Sequence, residues 1–133
     1  MRDYGIVSPQ FWTGATGREL RRGGPQLQVV ALYLLTCPSS NMIGLYYLPL
    51  ALLAHETGTP SEGASEALRR LGEIGFAHYD PEHEVVWIPE MARFQVGESL
   101  DKKDNRVLGV IREARPYAKS RFFKAFWDRY RTA

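Results

Sequence analysis

Residues 50–88 read LALLAHETGTPSEGASEALRRLGEIGFAHYDPEHEVVWI. Pro49 opens a helix through Leu50, Leu53 and Ala54, and Gly58 closes it. Thr59-Pro60-Ser61-Glu62 then supplies a threonine cap, a proline at the first helical position and an acid in the first turn, the chemistry of a helix start. Ala64, Ala67, Leu68, Leu71 and Ile74 form the apolar stripe of this second helix, and Gly75 is its stop. Two helices joined by a short turn at Gly58-Thr59 make a helix-turn-helix pattern. Directly after it, Phe76-Ala77-His78-Tyr79 and Val85-Val86-Trp87-Ile88 are β-prone runs around the polar tip Asp80-Pro81-Glu82-His83-Glu84, which predicts a hairpin.

Working outward, Gly24-Pro25 starts a helix in which Leu27, Val30, Ala31 and Leu34 recur on one face. Val29, Tyr33 and Leu35 are expected to widen that face, and Pro38 ends the helix. Ser39-Ser40-Asn41 reads as a turn and Ile43–Leu48 as a strand that joins the hairpin as its third member. Helix, strand, helix, turn, helix and hairpin, in that order, predict an α+β fold: a winged helix-turn-helix with a small antiparallel sheet. Residues 1–24 form an N-terminal extension, with a short helix after Ser8-Pro9 and a turn started by the capping-box spacing Thr16-Gly17-Arg18-Glu19. Residues 25–96 are the expected winged-helix core, organised around Leu34, Leu53, Leu68 and Trp87, with Trp12 and Trp127 also read as core. Residues 97–133 are expected to add C-terminal helices. Met91–Val96 reads as one or two turns, and Asp104 as the cap of a helix carrying Val107, Val110, Ile111 and Ala114. A last helix over about 117–131 places Phe122, Phe123, Phe126, Trp127 and Tyr130 on one arc, with Arg121, Lys124 and Arg131 largely opposite.

The chain has 133 residues, 44% of them apolar and 24% charged, enough for a real core and too apolar for a disordered chain. Its net charge of +2 conceals an asymmetry. Residues 1–101 hold 7 basic and 12 acidic side chains, a balance of −5, whereas residues 102–133 hold 10 and 3, a balance of +7. The single cysteine, Cys37, excludes an internal disulfide framework and a multi-cysteine zinc site. No apolar run reaches the roughly 20 residues of a membrane span, and Met1-Arg2-Asp3-Tyr4-Gly5 opens no signal-peptide core. A cytoplasmic, reducing setting is expected.

The segments Ser8–Gly14, Ala31–Pro38, Met42–Pro49 and Ala67–Leu71, followed by Gly75-Phe76 and Tyr79-Asp80, resemble the N-terminal winged-helix domain of phage and prophage replication proteins, of the replisome-organiser or replication-initiator type. The resemblance covers roughly residues 4–115. It implies a DNA-associated role in phage-type replication. Proteins of this kind often carry a second region after the domain, so this chain corresponds either to a front piece of a longer product or to a short relative.

In a winged helix that reads DNA, the second helix of the helix-turn-helix enters the major groove. Here that helix is expected to expose Ser65, Glu66, Arg69, Arg70 and Glu73. Arg69 and Arg70 are candidate DNA contacts; the alternative is a solvated face in which Glu66 and Arg70 form an i,i+4 pair. The acids Glu62, Glu66, Glu73, Asp80, Glu82 and Glu84 on this helix and hairpin oppose docking on phosphate. The other nucleic-acid candidates are therefore Lys102, Lys103, Arg106, Arg112, Lys119, Arg121, Lys124 and Arg131. A metal at His78 and His83 with the neighbouring acids is the lesser reading beside plain hairpin polarity. No P-loop, nucleophile elbow or zinc-protease spacing is present in the sequence. The expectation is a non-catalytic DNA-binding protein with no cofactor, no metal and no membrane partner. Its partners are DNA of either strandedness, replication proteins or a second copy of the chain. The competing readings are a protein-interaction or self-association module and a phage transcriptional regulator.

Overall fold

The computed structural model describes residues 3–91, 115–117 and 121–130. Among these the chain is α+β. It has six helices, α1 (Gln10–Thr13), α2 (Ala15–Gly23), α3 (Pro25–Thr36), α4 (Leu50–Thr57), α5 (Ser61–Glu73) and α6 (Arg121–Tyr130), a 3₁₀ turn at Arg115–Tyr117 and three strands. The strands β1 (Leu45–Tyr47), β2 (His78–Asp80) and β3 (Val85–Trp87) form one antiparallel sheet in the order β1-β3-β2. Tyr46 and Tyr79 both lie opposite Val86. The predicted hairpin and its third strand are thus present, in shorter form, and the arrangement is compatible with a winged helix.

Side-chain alternation along each strand splits the sheet between two cores. Tyr46, Val86 and Tyr79 face the larger one, with Leu34 of α3, Leu53 of α4 and Leu68 and Leu71 of α5. Leu45, Val85 and Trp87 face the smaller one, which Phe122 and Phe126 of α6 close. Trp87, expected beside Leu34, Leu53 and Leu68, therefore lies on the far side of the sheet. It packs at ring-centroid distances of 5.8 Å from His78 and 6.0 Å from Phe122.

Local chemistry sets the turns. Asn41 is buried, accepts the backbone N–H of Gly44 (3.0 Å) and of Leu45 (3.3 Å) on its Oδ1, and donates from Nδ2 to the Leu45 carbonyl (2.8 Å). Gly44 has φ of +71°, and a Cβ there would meet the Met91 Cβ at 2.6 Å and the Ile88 carbonyl at 2.8 Å. Only glycine fits this approach. Gly58, at φ of +70°, ends α4 in the left-handed conformation and turns the chain toward α5. The Tyr46 hydroxyl, fully buried, donates to the Leu34 carbonyl at 2.6 Å and so satisfies an acceptor near the end of α3. At the sheet edge, the Tyr47 N–H donates to the Tyr117 hydroxyl at 3.1 Å, which blunts an otherwise open strand.

Several expectations need correction. Thr16 lies inside α2, whose N-cap is Gly14, and α5 is capped by Pro60 rather than Thr59; neither N-cap residue makes a side-chain hydrogen bond. Val29 is 47% exposed, because it falls about 150° round the helix from the face carrying Leu27, Val30, Ala31 and Leu34. Trp12 and Trp127 are 50% and 46% exposed rather than core. Phe11 takes the inward position on the single turn of α1 and meets Trp12 edge-on at 4.8 Å. A three-stranded sheet is too narrow to cover the whole aromatic arc of α6, so Phe122 and Phe126 are buried while Trp127, at the arc's edge, stacks on Phe123 at 6.2 Å. Among the described residues the last helix covers Arg121–Tyr130, and residue 117 belongs to the 3₁₀ turn Arg115–Tyr117. The Tyr130 side chain, the turns beyond Met91 and the Asp104-capped helix with Val107, Val110, Ile111 and Ala114 lie outside the described residues.

The second core makes α6 an integral element. Phe126→Ala is expected to destabilise the fold by about 3–5 kcal/mol. Trp127→Ala, one residue on, should change stability by roughly 0.5 kcal/mol or less. Urea unfolding of the two variants measures the contrast.

Candidate nucleic-acid interface

The outer face of α5 carries Arg69 between two carboxylates one turn away on either side. Its Nε donates to Glu66 Oε2 at 2.9 Å, and its Nη1 donates to Glu73. All three side chains are more than half exposed, so the pairs contribute little to stability. They do occupy the guanidinium, and they surround it with negative charge that a phosphate would meet. The hydrogen bond from Arg69 holds the Glu66 carboxyl below its usual range. Arg70 behaves differently. It is half-buried and its Nη1 reaches the Gly23 carbonyl at the end of α2, 3.4 Å away. In place of the alternative Glu66–Arg70 pair, Glu66 pairs with Arg69, and Arg70 reaches the Gly23 carbonyl at the end of α2. Of the two arginines, Arg69 is enclosed by carboxylates, whereas Arg70 is drawn back to the end of α2.

Of the other candidate contacts, Arg121 and Lys124 are described. Lys124 is exposed on α6. Arg121, at the start of α6, donates to the Tyr79 carbonyl at 3.5 Å, and its Nε lies 3.9 Å from Asp80 Oδ2. Lys102, Lys103, Arg106, Arg112, Lys119 and Arg131 lie outside the described residues. Arg69 and Arg121 both line an open groove of about 370 Å³, together with Leu68, Tyr79 and Phe122. With Glu66, Glu73 and Asp80 beside these two arginines, the groove has no net attraction for an anion.

The hairpin tip is organised by Asp80. Its Oδ1 accepts the N–H of Glu82 (3.1 Å) and of His83 (3.4 Å), while His83 Nδ1 approaches Oδ2 at 2.8 Å. Asp80, Glu82 and His83 offer ligand atoms within 4.8 Å of one another. Both Asp80 oxygens are already engaged, however, and the Arg121 charge stands beside them, so the group acts as a turn cap. Burial pushes the Asp80 carboxyl up, but the His83 side chain, the turn N–H groups and Arg121 pull it down further, and the net shift is downward. His78, in the aromatic stack with Trp87 and Phe122, is shifted down by burial and then by Arg121.

Sequence reasoning passed over α2. Arg18, Arg21 and Arg22 are all exposed there. Their i, i+3, i+4 spacing opposite Leu20 was available as a signal, but the net charge of residues 1–101 concealed it.

Because the Asp80 carboxyl is depressed in the fold, its stabilising contribution is present above its unfolded pKa of about 4 and is lost as pH falls through the folded value. Asp80→Asn is therefore expected to lower stability at pH 7, with the difference from the unsubstituted protein shrinking as pH drops below about 4. Urea unfolding at a series of pH values checks this; a difference independent of pH would remove the role assigned to the carboxylate. Comparison with protein-family models, curated proteins and solved structures gives no match for this chain.

Proposed function

We propose that this chain is a non-catalytic winged-helix protein that binds DNA in phage-type replication, gripping the phosphate backbone with its basic C-terminal residues rather than reading bases with α5. The observation that carries the reading is the orientation of α6. Phe122 and Phe126 are turned into the sheet, and Arg121 and Lys124 outward. Two cations of the +7 segment 102–133, Arg121 and Lys124, thereby stand on a folded body. The element order around a β1-β3-β2 sheet supports the winged-helix part. The resemblance of residues 4–115 to replication proteins supports the biological setting.

A second reading has its own observation. Glu62, Glu66, Glu73 and Glu82 are exposed on α5 and the hairpin, and Arg69 is neutralised among them. Such a face fits a basic protein surface better than a polyphosphate, so the module could dock a replication partner or a second copy of itself through it.

Fluorescence anisotropy with labelled duplex and single-stranded oligonucleotides across a salt series tests the first reading. With about five phosphate contacts the log affinity for duplex falls with log salt at a slope of roughly −4 to −5. Arg69→Ala is expected to leave affinity nearly unchanged, because its guanidinium is already occupied. Replacing Lys102, Lys103, Arg106 and Arg112 together with Gln is expected to flatten the slope by about 3–4. Deleting α6 is a poor alternative, since it would open the second core. Absence of salt-dependent binding to either strand form would overturn the DNA reading and favour the protein-docking one.

A further inference from the structure

We infer that α2 and the end of α5 form a second phosphate-binding surface, a ridge of Arg18, Arg21, Arg22 and Arg70, on which a nucleic-acid backbone lies. The inference rests on the DNA-binding reading above and adds a site to it.

Leu20 and Gly17 are the buried positions of α2. At 3.6 residues per turn, Arg18, Arg21 and Arg22 fall within about 100° of arc opposite Leu20. Arg18 and Arg22 are separated by about 6 Å along the axis, close to two phosphate rises of a strand. Arg70 is brought to the same place by its hydrogen bond to the Gly23 carbonyl, 3.4 Å away. On α2 the one acid is Glu19, which pairs with Arg22 at 2.8 Å, and on α5 Glu66 lies near Arg70. Among the described residues no carboxylate pairs with Arg18 or Arg21.

Ordinary structural roles account for only part of this. Attraction to the helix dipole explains cations in the last turn, which holds Arg21 and Arg22. It does not explain Arg18, a turn earlier. A face kept merely for solubility carries mixed signs, whereas α2 sets Arg18, Arg21 and Arg22 against the single acid Glu19. The contrast with α5 is direct. There the arginine is enclosed by Glu66 and Glu73, while here two guanidiniums are left with their full hydrogen-bonding capacity. A polyanion is thus attracted to the α2 side of the body and repelled from the hairpin side. That polarity steers and orients its approach.

The test uses the full chain, a fluorescein-labelled duplex and anisotropy across salt. Arg18 and Arg21 have no structural partner to lose, so Arg18→Ala/Arg21→Ala is expected to fold normally by circular dichroism. It should flatten the salt slope by about 1.8 and weaken binding at 0.1 M salt on the order of tenfold. Arg18→Lys/Arg21→Lys, which keeps the charge, is expected to retain the slope. An unchanged slope in the alanine variant, with the unsubstituted chain binding DNA, would overturn the ridge and leave the C-terminal grip standing. No binding by the unsubstituted chain would overturn both.

Discussion

Strand β3 has to satisfy two cores at once, and the rest of the structure is arranged around that requirement. Val86 points into the core made by α3, α4 and α5, while Val85 and Trp87 point into the one closed by α6. A sheet of three-residue strands cannot stand in water with an apolar face on either side. The body helices and α6 are therefore both needed to remove it from solvent. This central position also explains the turn chemistry at either end of the sheet. Asn41 and Gly44 hold the entry to β1 in register, and Asp80 fixes the hairpin between β2 and β3. Loss of either register would turn one core's residues to the other side.

The same arrangement governs the charges. Because α6 must lay Phe122 and Phe126 on the sheet, its polar side is turned outward and Arg121 is brought beside Asp80. Because α5 buries Ala64, Ala67, Leu68 and Leu71, its outer face is left to Glu66, Arg69 and Glu73, where one guanidinium is paired with two carboxylates and the net charge is negative. The outer face of α5 is thereby poor in available cations. Among the described residues, Arg18 and Arg21 of α2 and Lys124 of α6 stand exposed without a carboxylate partner. Positioning by phosphate contacts carries affinity without base readout, and this distribution suits that mode.

Much of the fold was legible in the sequence because its signals were local. Proline and glycine marked the ends of α3, α4 and α5. Helical periodicity marked Leu27, Val30, Ala31 and Leu34 as one face, and alternation with a polar tip marked the hairpin. Of the candidate site, less was legible. Arg69 and Arg70 are adjacent in sequence and look equivalent, yet one is held by carboxylates and the other by a backbone carbonyl 47 positions away. The exposure of Trp12 and Trp127 was misread for a related reason. A large aromatic side chain announces burial, but whether a partner surface is wide enough to cover it depends on elements distant in the chain.

The sequence by itself determined the order of elements, their approximate ends, the pairing of the hairpin and the segregation of acidic and basic residues along the chain. These follow from backbone preferences and from periodicities of a few residues. Only the tertiary structure decided which core Trp87 joins, which guanidiniums are occupied, and that Arg70 of α5 reaches the end of α2. Those outcomes depend on distances between residues far apart in sequence, and no local propensity encodes them.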